Sequence, residues 1–237
     1  NPIIVHGGGP QIGKMLEKKN IKSKFVEGLR ITDKKTVKIV EEVLSKDINK
    51  KIVKDINNSG GKAIGLSGNK KNLIKAKKLK IEIKNSDSNI EKILDLGFVG
   101  EPVKISDKII KTAIKKNLIP VISPLGKDVN GNTYNINADT VAGAVAKTMN
   151  ASKLLLLTDV AGILDKNKKL ISSLSIKKAK KIIKEKFIIG GMKPKILTCI
   201  ESIDKGVKEA TILDGRIPHS IILELFTEHG IGTQIYS

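Results

Sequence analysis

Short apolar runs alternate along the chain with longer stretches in which apolar residues recur at helical spacing. Strands that alternate with helices are typical of a parallel sheet covered by helices, so the expected fold class is α/β. The apolar runs predict strands at 3–5, 63–66, 120–123, 154–158 and 210–213. The stretches between them predict helices near 11–20, 33–58, 107–117, 139–149, 176–185, 194–205 and 218–226.

Two segments depart from this simple alternation. Leu154 to Leu157 form an unbroken apolar run, which predicts a central strand that is buried on both faces. The region 70–100 is rich in lysine and less regular. It predicts a hairpin that leaves the main sheet.

Three glycines separate the first predicted strand from the first predicted helix. Gly7, Gly8 and Gly9 let the chain turn sharply and leave the backbone bare. The N-terminus of the following helix adds unpaired N–H groups and the positive end of the helix dipole. The segment therefore predicts an anion site, and the alternative is a tight turn with no ligand.

Two known phosphate-binding loops do not fit this glycine segment. A nucleotide-triphosphate loop needs Ser or Thr where Met15 stands. A dinucleotide loop needs glycine where Ile12 stands. Lys14 is expected on a helix face, since its neighbours already keep helical spacing.

The 237 residues are 40% hydrophobic, which suffices for one large domain or two lobes, and we place a lobe boundary near Asn150. The sequence has neither an apolar run that could span a bilayer nor a charged-then-apolar leader, so we expect a cytoplasmic protein. The lone Cys199 is expected to be a buried packing residue. Because the chain opens at Asn1 directly before a buried-type strand, we expect that a preceding strand and helix are missing from it.

The formal net charge of +20 raises the question of a nucleic-acid or membrane partner. The basic residues are almost all lysines scattered over predicted helix faces, and aromatic residues are only 3% of the chain. Such a surface is typical of solvated lysines and lacks stacking platforms for bases. We therefore expect no nucleic-acid and no membrane partner, with a basic nucleic-acid-binding module as the remote alternative.

Arg30 and Arg216 are the only arginines, and a guanidinium offers a bidentate fork that lysine cannot replace. Arg30 comes just before the helix at 33–58, where Thr32 or Asp33 can cap the helix. At the end of that loop it is placed to hold a carboxylate, and the alternative is a surface or core-pairing arginine.

Polar residues also surround the helix predicted near 139–149. Asn137 can cap this helix and Asp139 suits its first turn, but neither role explains Asn135. Asp159 follows the four-leucine strand at its carboxyl end, where ligands of parallel sheets collect. If Pro194 is the first helical residue, Lys195 lies in the first turn, where it opposes the dipole and favours an anionic ligand.

Taken together, seven segments in this order resemble the amino acid kinase family, and within it the branch that phosphorylates N-acetylglutamate in arginine biosynthesis. They are Val5-His6-Gly7-Gly8-Gly9-Pro10-Gln11, Gly28-Leu29-Arg30, Gly65-Leu66-Ser67-Gly68, Leu96-Gly97-Phe98-Val99-Gly100-Glu101, 135–139, 157–164 and 190–195. The resemblance covers nearly the whole chain. It implies a three-layer α/β/α sandwich with a mostly parallel central sheet, an amino-acid-binding lobe at 1–150 and a nucleotide-binding lobe at 151–237.

The resemblance also implies roles for individual residues. Lys195 and Asp139 would be catalytic: the lysine stabilises the transferring phosphoryl group and the aspartate positions the catalytic lysines. The implied ligands of N-acetylglutamate are Gly8, Gly9, Arg30 and Asn135. The implied border of the adenine nucleotide is Asp159, Val160, Gly162, Ile163, Leu164, Phe187, Ile188 and Ile189. ATP would come with Mg²⁺ held mainly by its phosphates, so no residue is assigned as a metal ligand.

Two further features of the family bear on this chain. The family begins with a strand that carries Lys-x-Gly-Gly, and its lysine is the other catalytic cation; this sequence starts after it. The C-terminal region around His219, Glu224 and Gly232 resembles the branch of these kinases that arginine inhibits. The plain alternative for that region is an amphipathic helix and a glycine turn. The implied assembly is a homodimer or a hexamer, and sister kinases of N-acetyl-aminoadipate or aspartate are the alternative functions.

Overall fold

The computed structural model describes residues 1–84, 91–184, 191–228 and 230–237. The chain divides into two compact units, Asn1–Val141 and Ala142–Ser237. In the described residues, no helix combines the length and the apolar character needed to cross a membrane.

The first unit contains a three-stranded parallel sheet formed by β1 (Ile4–Val5), β4 (Ala63–Ser67) and β7 (Ile119–Ser123). The strand order is β1-β7-β4. Val5 of β1 pairs with Ile122 of β7, which in turn pairs with Leu66 of β4. These three strands were predicted from the sequence, and their bounds agree with the prediction to within one residue.

Helices of the first unit follow the amphipathic stretches of the sequence. They are α1 (Gly9–Lys18), α2 (Lys34–Glu42), α3 (Asn49–Asn58) and α4 (Asp107–Lys115), while α5 (Ala138–Thr148) runs across the boundary between the units. Asp33 is the N-cap of α2 and accepts a hydrogen bond from the Thr36 amide at 2.7 Å. The helix predicted at 33–58 is thus present, but a π-helical segment, Val43–Ile48, lies between α2 and α3.

The apolar core of this part of the first unit lies between α1, α2 and the π-helical segment. Ile12 and Leu16 of α1 pack with Val40 of α2 and Leu44 of the π-helical segment. The expectation that Lys14 lies on a helix is confirmed, since it is within α1.

The irregular region of the first unit forms β-structure that the apolar runs did not predict in detail. The hairpin expected at 70–100 is present as the antiparallel pair β5 (Ile74–Lys84) and β6 (Glu91–Ile105). With β8 (Leu125–Lys127) and β9 (Thr133–Ile136) these strands close into a small four-stranded barrel. A second short hairpin pairs β2 (Phe25–Val26) with β3 (Leu29–Arg30).

The second unit holds a four-stranded sheet formed by β10 (Lys153–Thr158), β11 (Ser173–Ser175), β12 (Glu209–Asp214) and β13 (Thr233–Tyr236). The strand order is β10-β12-β13-β11. β10 and β12 are parallel, as predicted, whereas β12 and β13 are antiparallel. The helices are α6 (Ile176–Lys184), α7 (Met192–Ile203) and α8 (Ser220–Phe226).

The prediction that Leu154 to Leu157 is buried on both faces was wrong. Leu154 and Leu156 are buried, but Leu157 is 44% exposed. The reason is that successive side chains of a strand point to opposite faces, so Leu154 and Leu156 lie on one face of β10 and Leu157 lies on the other. Leu154 and Leu156 therefore enter the core, where they pack with Ile196 and Cys199 of α7. Cys199 is fully buried, as predicted.

Candidate functional site

The glycine loop, Gly7 to Gly9, joins β1 to the first turn of α1. The helix begins at Gly9 with Gly8 as its N-cap, and no side chain caps it. A helix N-terminus without a side-chain cap presents its first amides to a ligand. The predicted arrangement of strand, glycine loop and helix N-terminus is confirmed.

Close packing at Gly8 excludes any larger side chain. A Cβ atom there would lie 2.5 Å from Cδ1 of Ile48 and 2.7 Å from Cδ2 of Leu44. Both side chains come from the π-helical segment, and Leu44 is fully buried. Apolar side chains therefore pack against one side of the glycine loop, and no side chain of the loop itself covers its backbone.

Arg30 lies on strand β3, so the expectation that it stands at a loop end is corrected. It is only 8% exposed. Its Nη2 donates to the Gly9 carbonyl oxygen at 3.1 Å, and its Nη1 donates to the Ser23 hydroxyl. The guanidinium also lies over the Phe25 ring, 4.5 Å from its centroid. Burial lowers the pKa of the Arg30 guanidinium from its ordinary value, although such a group stays protonated at neutral pH.

A cavity of about 210 Å³ lies between the glycine loop and the Arg30 hairpin. Its lining includes four residues predicted to bind one substrate: Gly8, Gly9, Arg30 and Asn135. Asn135 reaches it from β9 of the barrel, where it pairs with Val99 and Leu125. The structure thus brings together residues that are more than a hundred positions apart in the sequence.

The segment 96–101, which also resembles the amino acid kinase family, contacts the hairpin that carries Arg30. Gly97 has a φ of 76°, and a Cβ atom there would lie 2.3 Å from the Thr32 carbonyl oxygen. The same oxygen accepts a hydrogen bond from the Phe98 amide at 2.6 Å, and the Thr32 hydroxyl donates to the Arg30 carbonyl at 2.8 Å. Gly97 is therefore needed for the close approach that fixes the strand carrying Arg30.

The residues around the start of α5 follow the sequence expectation in part. Asn137 caps the helix by accepting a hydrogen bond from the Thr140 amide at 3.1 Å, as predicted. Asp139 lies in the first turn of the helix. Asn135, for which capping gave no explanation, lies on β9 and lines the cavity.

In the second unit, the segment 159–164 follows the carboxyl end of β10, as predicted. Val160 and Leu164 are 40% and 37% exposed. Gly162 has a φ of 150°, and a Cβ atom there would lie 2.6 Å from the Thr233 hydroxyl oxygen. Ile163 is fully buried in the core, and its amide donates to the same hydroxyl at 2.8 Å. Its carbonyl oxygen accepts a hydrogen bond from the Ile171 amide at 2.9 Å, so both backbone groups of Ile163 are engaged within the protein.

The start of α7 differs from the sequence expectation. The helix begins at Met192, so Pro194 is its third residue and not its first. A proline fits there because the first four amides of a helix have no partner within it. Lys195 still lies in the first turns of the helix and is partly buried. Phe187, Ile188 and Ile189, which were assigned to the nucleotide, lie outside the described residues.

Two of the three residues of the expected effector region are in contact. The Glu224 carboxylate in α8 accepts hydrogen bonds from the Ile231 amide at 2.8 Å and from the Gly232 amide at 3.1 Å. His219 precedes α8 with a φ of 60°. The carboxylate therefore orders the C-terminal glycine turn.

Arg216, the second arginine, is engaged by a neighbouring carboxylate. Its Nε and Nη2 donate to Asp214 at 3.0 and 2.7 Å. These bonds lower the pKa of the nearly buried Asp214 carboxyl. Of the two arginines, only Arg30 lines the cavity at the glycine loop.

Sequence reasoning missed a buried polar group behind the glycine loop. His6 and Asn49 are 7% and 4% exposed, and they are joined by a hydrogen bond of 3.1 Å. Asn49 carries no recognisable motif and is 43 positions from His6 in the sequence. The one feature of the sequence that could have indicated this group is that Asn49 is an amide residue within an amphipathic helix.

Comparisons with known proteins agree with this arrangement. The model of the amino acid kinase family matches residues 1–214. The acetylglutamate kinase of Parvibaculum lavamentivorans is 57% identical over 235 residues, which are 99% of this chain and 77% of that protein. The crystal structure of smu.665 from Streptococcus mutans has a TM-score of 0.81 at 28% identity and covers 99% of this chain and 85% of its own.

A more distant structure shares the fold. The N-acetylglutamate synthase of Neisseria gonorrhoeae, solved with coenzyme A and N-acetyl-glutamate, has a TM-score of 0.84 at 22% identity. The match covers 99% of this chain and 51% of that one.

Proposed function

This chain belongs to the amino acid kinase family, and we propose that it transfers the γ-phosphoryl group of ATP to the γ-carboxylate of N-acetyl-L-glutamate. The product is N-acetylglutamyl 5-phosphate, an intermediate of arginine biosynthesis. One observation carries the acceptor assignment: a buried guanidinium lies beside a bare glycine loop in a cavity of about 210 Å³. The relative at 57% identity is an acetylglutamate kinase, which supports the same substrate.

In this proposal Arg30 holds the α-carboxylate of N-acetylglutamate. A guanidinium has five N–H donors, so the bonds to Ser23 and Gly9 leave capacity for a carboxylate. Stacking on Phe25 and the bond to Gly9 fix the plane of the guanidinium before the substrate arrives. Asn135 contacts the same substrate from β9.

The γ-carboxylate of the substrate is already ionised at neutral pH, so its attack on phosphorus needs no general base. Its oxygen forms a bond to the γ-phosphorus while the bond from that phosphorus to the bridging oxygen of ADP breaks. Catalysis then consists of aligning the two groups and neutralising the charge of a loose transition state. The amides of Gly8 and Gly9 serve the oxygens of the substrate and of the transferring group.

For the nucleotide we propose Asp159, Val160, Gly162, Ile163 and Leu164 as border residues, together with Phe187, Ile188 and Ile189. The glycine with a φ of 150° lets the chain turn at the carboxyl end of β10, where ligands of parallel sheets bind. Lys195 stabilises the γ-phosphoryl group, and Asp139 positions the catalytic lysines.

Mg²⁺ accompanies ATP in this proposal and is held mainly by the phosphate oxygens. Within the described residues, no group of three or more His, Cys, Asp or Glu side chains is arranged to hold a metal ion. Mg²⁺ is suited to this arrangement, since it keeps several waters and often binds through one or two carboxylates and substrate phosphates.

We also propose that the protein forms a homodimer or a hexamer and that arginine acts at the region of His219, Glu224 and Gly232. Support for assembly comes from β4, the last strand in the β1-β7-β4 order, whose far edge has no partner among the described strands. Sedimentation at several concentrations measures the assembly. Calorimetric titration with L-arginine measures effector binding, and a flat titration removes the effector assignment.

The proposed function is tested by trapping the acyl phosphate product of the protein with hydroxylamine. N-Acetyl-L-glutamate should give far more hydroxamate per unit time than L-glutamate, L-aspartate or N-acetyl-aminoadipate. Comparable rates with L-glutamate would disprove the acceptor assignment and leave the family membership intact. A higher rate with aspartate or N-acetyl-aminoadipate would assign the chain to a sister kinase.

A further inference from the structure

A buried histidine lies directly before the glycine loop and is no part of the mechanism above. His6 is 7% exposed, and its backbone amide donates to the Ile122 carbonyl at 3.3 Å. Its ring Nδ1 is 3.0 Å from the Gly7 carbonyl oxygen. Its Nε2 is 3.1 Å from Nδ2 of Asn49. Both ring nitrogens are therefore engaged inside the protein.

The orientation of the Asn49 amide follows from its second partner. Nδ2 of Asn49 is also 2.9 Å from the carbonyl oxygen of Val121 in β7. A carbonyl oxygen only accepts hydrogen bonds, so the atom of Asn49 that faces it must be the NH₂ group. A flipped amide would set two oxygens against each other. The Asn49 amide thus donates both to Val121 and to His6.

The tautomer of His6 follows in turn. Because Asn49 donates to Nε2, that nitrogen is an acceptor and carries no proton. The Gly7 carbonyl can only accept, so Nδ1 carries the proton and donates it to Gly7. The ring is neutral in this arrangement. A chain of three hydrogen bonds thus runs from the β7 backbone through Asn49 and His6 to the glycine loop.

The geometry points to His6 as a positioning residue that orients the Gly7–Gly8 peptide. Asn49 fixes the tautomer of His6, and the loop amides then face the cavity beside Arg30, which we call the acceptor cavity. The Gly7 carbonyl and the Gly8 amide belong to one planar peptide group. A bond that fixes the carbonyl therefore fixes the direction in which the Gly8 N–H points. Glycine has no side chain to restrict this peptide, so an external hydrogen bond has a large effect on it.

This inference rests on the proposed function for the identity of the ligand, but the hydrogen bonds do not depend on it. Two substitutions separate the two ring nitrogens. In His6→Asn, the amide nitrogen can take the place of Nδ1 and keep the donor to Gly7. In His6→Gln, the longer side chain can meet Asn49 in place of Nε2 but loses the donor to Gly7.

We expect His6→Gln to raise the Kd for N-acetyl-L-glutamate about tenfold, the range for loss of one hydrogen bond. His6→Asn should stay within about threefold of the unsubstituted protein. The KM for ATP should be unchanged in both. A general loss of folding would instead lower the active fraction, and with it the apparent kcat, without raising the Kd. Calorimetry with N-acetyl-L-glutamate and steady-state kinetics provide these values. Equal Kd values for the two variants would overturn the inference.

A measurement on the unsubstituted protein tests the inference without any variant. In ¹⁵N-detected NMR of the histidine ring, His6 should give the signature of a proton on Nδ1 and none on Nε2. A proton on Nε2, or a charged ring at neutral pH, would overturn the inference. If the Nδ1 signature is found but N-acetyl-L-glutamate does not bind, the proposed substrate is wrong and the positioning of the loop stands.

Discussion

The Oδ1 atom of Asn49 lies 2.2 Å from the point that a Cβ atom on Gly65 would occupy. Helix α3 and strand β4 can approach so closely only because position 65 has no side chain. Any displacement of Asn49 would break the hydrogen bonds of its amide to Val121 and to His6. The glycine in β4 is therefore a condition for the hydrogen bonds behind the acceptor cavity.

Gly65→Ala should destabilise the protein and also weaken substrate binding. A methyl group forced into a packed site typically costs about 1–3 kcal/mol, and the displaced Asn49 would release His6. We expect a lower free energy of unfolding in urea and a higher KM for N-acetylglutamate. Gly13→Ala in α1 is the matched control, because its new Cβ would meet nothing nearer than Arg30 Nη2 at 4.0 Å. The Gly13→Ala variant should be more stable than the unsubstituted protein by roughly 0.4–1 kcal/mol. An equal decrease in the free energy of unfolding of both variants would contradict the role of Gly65.

Arg30→Lys should weaken N-acetylglutamate binding far more than ATP binding. A point charge replaces a planar fork and loses one charge-assisted hydrogen bond, which is worth roughly 1.5–3 kcal/mol, or about ten- to a hundredfold. The KM for each substrate is the measurement. Arg216→Lys is the control, since its guanidinium is bound to Asp214 and its loss should leave the KM for N-acetylglutamate unchanged. An unchanged KM in Arg30→Lys would assign Arg30 a structural role.

Lys195→Ala should lower kcat much more than it changes either KM. Charge on the transferring phosphoryl oxygens shifts only as the bond breaks, so a lysine aimed there acts mostly in the transition state. Loss of one such donor typically costs about a hundred- to a thousandfold in rate. Lys193→Ala on the same turn, where the side chain is exposed, should keep normal turnover. Normal turnover together with a higher Tm in Lys195→Ala would remove Lys195 from the mechanism.

The stability of the protein should fall with pH in the range where His6 would take up a proton. Burial lowers the pKa of His6 below its ordinary value of 6.5, and the bond to Gly7 raises it by less. The unfolded chain thus binds the proton at a higher pH than the folded protein, so the free energy of unfolding decreases as pH falls below 6.5 toward the folded pKa. The contribution of the neutral His6 ring to the free energy of unfolding is fully retained above pH 6.5.

Urea unfolding of the unsubstituted protein and of His6→Asn, at about pH 7.5 and about pH 5.5, measures this contribution. The unsubstituted protein should lose more stability between the two pH values, because asparagine has no proton to take up. The side chain that contacts the His6 ring, Asn49, does not titrate. Equal losses would show that the His6 ring has the same pKa in the folded and the unfolded protein.

The sequence predicted elements well where they depend on local periodicity. Helix α4 begins at Asp107, and α6 begins at Ile176, as their apolar spacing indicated. The glycine loop at the start of α1 follows from residue types alone. Residues of the acceptor cavity were identified through motif order and resemblance, because their spacing carries no local signal.

The remaining features depend on contacts between distant segments. Leu157 is exposed although its residue type favours burial, because the packing of α7 against the other face of β10 decides which of its residues are covered. The barrel strands are short and pair across long separations, as Lys75 does with Lys127. Asn49 gains its role only when α3 packs beside β7, and no property of an isolated asparagine predicts that.

The π-helical segment gives the long helix an unusual dependence on chain length. Its closing bond joins the Asn49 amide to the Leu44 carbonyl, five residues back, so two residues that an α-helix would turn apart share one face. One of them packs behind Gly8 and the other binds His6. Removal of a single residue between 43 and 48 would let the helix close with ordinary α-helical bonds, since a π-helical turn holds one residue more than an α-helical turn. A deletion there would therefore keep α3 near its present direction, whereas the same deletion inside α2 would turn Leu44 and Asn49 together by about 100° and remove the supports of Gly8 and His6.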